Sequence, residues 1–232
     1  MNWDLSVLYK GFDDPAFLAD MDAIPALTKE LAALPGSGKP PAECLEAAVS
    51  AIERLDALSE KVSNFAFLTQ AADAANARAD QAIDRFLTLS VDMRLAFSAV
   101  TRYVGGLDDL EELIASSELL RDRGYALRRM KKEAEHLLPG DVEKWVLRMG
   151  LTGGDAFSQL RDKLDATHTV RYRGEEIPLA AARAKAYDPD PAVRKDAYEA
   201  ELASYAKIEL PMSYCLNSIK GQGRTVAEAR GY

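Results

Sequence analysis

The chain has 232 residues, enough for one large domain or two small ones, and folding would bury roughly 70% of the surface its unfolded form exposes. Hydrophobic residues make up 48% and charged residues 28%, which excludes a disordered tail, and no apolar run approaches the ~20 residues needed to span a bilayer. A formal charge of −8 opposes capture of phosphate backbones, so neither nucleic acid nor membrane is an expected partner.

The 38 Ala and 29 Leu set against 14 Gly and 10 Pro predict a mostly helical protein. The opening residues lack a basic stretch followed by an apolar one, so a cytoplasmic location is expected. Cys44 and Cys215 stand far apart without a C-x-x-C pattern, which predicts reduced structural thiols.

Asp14-Pro15 reads as an N-cap with proline at the first helical position. Phe17, Met21, Ile24, Leu27, Leu31 and Leu34 then recur at helical spacing, with a bend predicted at Pro25. Residues 34–41, with their Gly-Ser-Gly and Pro-Pro, break that helix. A second helix from about Ala42 places Leu45, Val49, Ile52 and Leu55 on one face. Helix is also predicted from Ala71 to Leu89, resuming after Ser90 through Tyr103 until Gly105-Gly106 stops it. Leu107 to Leu138 is the longest helical candidate, followed by shorter ones over Asp141–Met149 and Asp155–Leu164.

One window has the composition of strand. Thr167 to Tyr172 is rich in β-branched and aromatic residues, Arg173-Gly174-Glu175 can turn, and Glu176 to Leu179 can return, with Pro178 marking an edge. Asp190-Pro191 repeats the cap signature and opens a helix running toward Leu216, with a kink at Pro211. Gly221-Gln222-Gly223-Arg224 reads as a glycine turn, and Thr225 with Glu228 as a capping box that announces a helix at Val226. Only seven residues follow Thr225, fewer than a helix needs, so the chain is expected to be cut inside an element. The apolar row of Leu210, Met212, Leu216 and Ile219 would then be loosely held or covered by self-association.

Chemistry is sparse. A zinc site of the H-E-x-x-H type needs two histidines one turn apart, and the only histidines, His136 and His168, cannot supply it. His136 is read as a cation at a helix C-terminus and His168 as a hairpin residue. Gly36-Ser37-Gly38-Lys39 lacks the strand, the first glycine and the hydroxyl residue of a phosphate loop and reads as linker. Asp108, Asp109, Glu111 and Glu112 suit a helix start, and Arg128, Arg129, Lys131 and Lys132 suit a helix end. No G-x-S-x-G elbow occurs, and Trp145, Tyr198, Tyr205 and Tyr214 at helical spacings are assigned to core. No catalytic, cofactor-binding or metal-binding residue is therefore assigned.

Several strings nevertheless resemble a known family. Trp3-Asp4-Leu5-Ser6-Val7-Leu8-Tyr9 with Asp13-Asp14-Pro15-Ala16-Phe17 is similar to the start of oligoendopeptidase F-type zinc metallopeptidases, of the thimet oligopeptidase and neurolysin-like superfamily. His136-Leu137-Leu138, Leu151-Thr152-Gly153-Gly154-Asp155-Ala156-Phe157, Leu160-Arg161-Asp162-Lys163-Leu164 and Asp188-Pro189-Asp190-Pro191 through Tyr198 resemble their N-terminal domain. Leu216-Asn217-Ser218-Ile219-Lys220-Gly221, with Thr225 and Ala229-Arg230-Gly231-Tyr232, resembles the opening of their catalytic domain.

The resemblance implies an all-α fold of long antiparallel helices with one small β-hairpin near 167–179, forming the N-terminal part of a bowl-shaped helical metallopeptidase. It implies three regions: 1–106, an N-terminal helical region; 107–187, the oligopeptidase F N-terminal-like domain with the hairpin; and 188–232, the truncated start of the catalytic helical domain. Zn2+ is implied for the complete family enzyme, with none held by this chain, and the implied partners are short peptides and a missing C-terminal catalytic portion. The expected function is to form one wall of the substrate cleft without catalysing cleavage alone. The alternative is a stand-alone helical protein-interaction module without catalytic activity.

Overall fold

The fold is taken from a computed structural model that describes residues 4–73 and 75–232. Trp3, the first residue of the opening string, and Ala74 lie outside the described residues. The chain divides into two compact units, one running to Arg148 and taking in Ala229–Tyr232, the other comprising Met149–Glu228.

In the first unit Asp14 caps α1 (Pro15–Ala33) by accepting a hydrogen bond from the Ala16 amide at 2.9 Å, and Pro15 occupies the position where its missing N–H costs nothing. Phe17, Met21, Ile24 and Leu31 are buried as their spacing requires. They pack with α2 (Pro41–Ala72) and α3 (Ala77–Gly105) around a core that includes Leu45, Leu55, Val62, Val100 and Val104. Ahead of α1, Tyr9 and Phe12 meet Phe17 and Phe65 edge-to-face, with ring centroids 5.0 to 5.4 Å apart. The Tyr9 hydroxyl donates to Asp20 at 2.7 Å, and Lys61 donates to the same carboxylate at 2.9 Å.

Several boundaries differ from the sequence reading. The longest helix is α2, with 32 residues, and α3 runs through Ser90 without interruption. The break falls earlier, where the Asn76 side chain accepts from the Arg78 and Ala79 amides and starts α3. The segment expected as one helix over 107–138 is α4 (Leu110–Ser116), α5 (Glu118–Asp122), α6 (Gly124–Glu133) and a 3-10 turn, Ala134–His136. Ser117, extended at φ −139° and ψ 146°, separates α4 from α5. Short helices still bury the predicted leucines, since Leu110, Ile114, Leu120 and Leu127 all join the core. Next comes α7 (Gly140–Thr152).

The second unit begins with α8 (Gly154–Thr167) and the expected hairpin, β1 (Thr169–Tyr172) paired antiparallel with β2 (Glu175–Pro178). The register sets Val170 opposite Ile177. Arg173 and Gly174 both take positive φ, 48° and 93°, the two-residue turn whose twist matches the strands. Val170 packs with Leu179 and Ala182 of α9 (Leu179–Ala184), and α10 (Pro191–Ser204) closes against β1. Asp190 caps α10 through the Ala192 amide at 2.8 Å, as read from Asp190-Pro191.

α11 (Glu209–Arg230) corrects three readings together. Pro211 lies in its first turn rather than at a kink, Gly221 and Gly223 are interior, and Thr225 starts nothing. The Thr225 hydroxyl donates back to the Gly221 carbonyl at 3.1 Å, and Glu228 pairs with Arg224 one turn earlier. The aromatics assigned to core are also corrected: Trp145, Tyr198 and Tyr214 are exposed and Tyr205 is half-buried. Among the described residues no helix is long and apolar enough to cross a membrane.

Candidate functional site

Each histidine has one ring nitrogen in a hydrogen bond within its own unit. His136 sits in the 3-10 turn rather than at the end of a long helix. Its Nδ1 lies 2.9 Å from the Arg230 carbonyl, and since a carbonyl only accepts, Nδ1 carries the proton. The ring stacks on Tyr232 with centroids 4.3 Å apart. His168 is buried immediately before β1, with Nε2 2.8 Å from the Ser204 hydroxyl. That hydroxyl donates to the Glu201 carbonyl at 2.7 Å, so His168 donates to Ser204. Ser204 is thus a hydrogen-bond relay within α10 and no activated nucleophile.

Beside His136 lies a buried ion pair that sequence reading missed. Glu143 is 1% exposed, and its carboxylate accepts from both terminal nitrogens of Arg230 at 2.7 Å and from the Leu138 amide at 3.0 Å. Arg230 also donates to the His136 carbonyl at 3.2 Å. The bidentate geometry and the extra amide satisfy the carboxylate, as its burial requires. No spacing signal links residues 87 positions apart.

A second missed contact lies in the other unit. The Gln222 side-chain carbonyl accepts from the Gly154 amide at 2.6 Å and so caps α8 from α11. A side chain on Gly153 would overlap that carbonyl, which gives the Gly153-Gly154 pair a packing reason.

The same unit holds an open groove of about 560 Å³, floored by Leu202, Tyr205, Ile208, Met212 and Leu216. Arg183 and Asp165 stand at its edge. Arg183 donates to Glu201 at 2.9 Å and to the Tyr205 hydroxyl at 3.0 Å, and that hydroxyl donates to Glu201. Burial, then the neighbouring Glu201 carboxylate, pushes the Tyr205 hydroxyl above the ordinary tyrosine range. Leu210 and Leu216, 68% and 54% exposed, extend the apolar surface with Tyr198, Leu202 and Tyr214.

Gly36 ends a short 3-10 turn, and Ser37-Gly38-Lys39 is an exposed connection following helix, not strand. Glu111 and Arg128 are paired through two contacts of 2.7 Å, Arg129 pairs with Glu133, and Lys131 donates to the Leu107 carbonyl, so these charges serve helix packing. Cys44 and Cys215 are buried free thiols. Among the described residues no three His, Cys, Asp or Glu side chains converge as a metal site. The zinc implied by the resemblance therefore finds no set of three ligands among the described residues.

Known proteins supply the remaining comparison. Residues 106–169 match the family model of oligopeptidase F. The matched segment holds α4 to α8 and takes in the strings at residues 136–138, 151–157 and 160–164 among those that carried the resemblance. The crystal structure of oligoendopeptidase-F from Enterococcus faecium superposes with a TM-score of 0.77 at 17% identity, over 94% of this chain and 44% of that one. A putative peptidase from Chlamydophila abortus matches with a TM-score of 0.50 at 20% identity, over 100% of this chain and 40% of that one. The all-α fold with one hairpin is therefore shared with these proteins, and the chain spans less than half the length of each. No curated protein matches the sequence.

Proposed function

We propose that this chain is the non-catalytic N-terminal portion of an oligoendopeptidase F-like zinc metalloendopeptidase, a cytoplasmic hydrolase of short peptides, and that it forms one wall of the substrate cleft. The observation that carries the reading is the asymmetry of the structural match, which takes in 94% of this chain but 44% of the Enterococcus faecium oligoendopeptidase-F chain, together with the family match over 106–169. In this reading zinc and the attacking water belong to residues outside this chain, and the apolar surface of α10 and α11 meets the remainder of the enzyme. The wall acts by shape, admitting extended peptides and excluding folded proteins.

The test compares two proteins. The 232-residue chain should leave a quenched peptide library intact. The native polypeptide, recovered from its source with an antibody to this chain, should exceed 25.4 kDa and cleave the library in a chelator-sensitive way. A native polypeptide of this size that binds another protein and cleaves nothing would instead support the interaction module.

A further inference from the structure

A second groove, in the first unit, has the chemistry of a small-cation site. It lies where α2 and α6 pass over Val100 of α3, encloses about 210 Å³, and is walled by Leu45, Val49, Val100, Leu127 and Met130. Two carboxylates and one guanidinium reach it. Glu53 is satisfied by Arg123 at 2.6 Å, whereas Asp56 has no hydrogen-bond or ion partner among the described residues. Asp56 is exposed at the groove's rim; partial desolvation against the groove, and then the like charge of Glu60 one turn on, hold its carboxyl above the usual aspartate range. One negative charge without an ion partner among the described residues thus stands at the exposed rim of an apolar floor.

We infer that this groove binds a small organic cation, an ammonium group on a compact apolar body, with the ammonium at Asp56 and the body over Leu127 and Met130. Charge complementarity selects the occupant. A carboxylate ligand would be repelled by Asp56 and Glu53, while a neutral one would gain nothing from the Asp56 charge. The volume lies below the ~300–1,000 Å³ of drug-sized pockets, which restricts the guest to roughly the size of an arylalkylamine. This site does not depend on the peptidase reading.

The probes are phenethylamine, 2-phenylethanol and 3-phenylpropionate, titrated into the isotopically labelled chain and followed by amide NMR. Phenethylamine should shift amides of α2 and α6 around the groove saturably, with a Kd near or below about 1 mM. The alcohol and the carboxylate should bind at least about tenfold more weakly, and Asp56→Asn should weaken the amine by about tenfold while leaving the alcohol unchanged. In the unsubstituted protein, saturating amine should lower the Asp56 carboxyl titration, a readout that survives if Asp56→Asn misfolds. Equal binding of amine and alcohol, unaltered amine binding by a folded Asp56→Asn variant, or groove shifts that follow protein concentration instead of ligand would overturn the assignment. The last outcome would give the groove to a second copy of the chain.

Discussion

The side-chain carbonyl of Gln222 occupies the space into which any side chain on Gly153 would project. It accepts from the next amide, that of Gly154, so the glycine that precedes α8, the first glycine of α8 and one glutamine of α11 form a single capping arrangement. Gly153→Ala should cost about 1–3 kcal/mol by overpacking, and Gln222→Ala about 1 kcal/mol by removing one hydrogen bond. The double variant should cost less than the sum, because truncating Gln222 removes the nearer obstacle to the methyl group and leaves only the Met149 carbonyl, 3.0 Å away. Chemical denaturation of all three proteins checks this, and strict additivity would refute the shared cap.

The Glu143 and Arg230 pair predicts a larger effect. Arg230→Ala leaves a carboxylate that is 1% exposed without its cation, at a cost of about 3–5 kcal/mol. For a chain of this length that is a Tm lowered by about 10 °C. Glu143→Leu combined with Arg230→Met should recover at least half of the loss, since a matched apolar pair removes both desolvation penalties. A single Arg230→Ala variant melting within about 2 °C of the parent would contradict the buried pairing.

Acid should act through Asp20. Hydrogen bonding from Lys61, then from Tyr9, holds the Asp20 carboxyl below its ordinary value of 3.8 despite partial burial. The folded state therefore binds this proton less readily than the unfolded state. Its contribution to stability is present above the unfolded value and is lost as pH falls through the lower folded one. Asp20→Asn should lower stability at pH 7 and flatten the decline below about pH 4. Urea midpoints measured from pH 7 down to pH 2 will show whether the two curves converge.

On the second unit, exposed Leu210 and Leu216 predict self-association of the isolated chain at high concentration. Leu210→Lys with Leu216→Lys should change stability by no more than about 0.5 kcal/mol per site and shift sedimentation toward the monomer. Concentration-dependent sedimentation that persists unchanged in this variant would place the contact elsewhere.

What could be read from the sequence was local. Asp14-Pro15, Asp190-Pro191 and the Arg173-Gly174 turn each specify a cap or turn within three or four residues, and all three stand in the structure. The 107–138 segment misled because Leu110, Leu120 and Leu127 keep helical spacing across the extended Ser117, and periodicity alone does not register a single residue leaving the helix. Thr225-x-x-Glu228 misled because the same residues serve a helix interior, where threonine bonds backward and glutamate pairs with the preceding turn. The contacts at the candidate sites were illegible for another reason. Gln222 and Gly154 are 68 residues apart, Arg230 and Glu143 are 87, and only tertiary structure joins them. Asp56 looked like any surface acid on an amphipathic helix until the groove beside it was seen.

The first unit is discontinuous in sequence, since Ala229–Tyr232 returns to it after the whole of Met149–Glu228. On the ribosome Glu143 must therefore wait for Arg230. At about 5–20 residues per second, the intervening stretch takes roughly 4–17 s to synthesise, long compared with the microsecond formation of helices. The nascent first unit holds an unmatched carboxylate throughout that interval, so its final closure is timed by translation of a segment that belongs to the other unit.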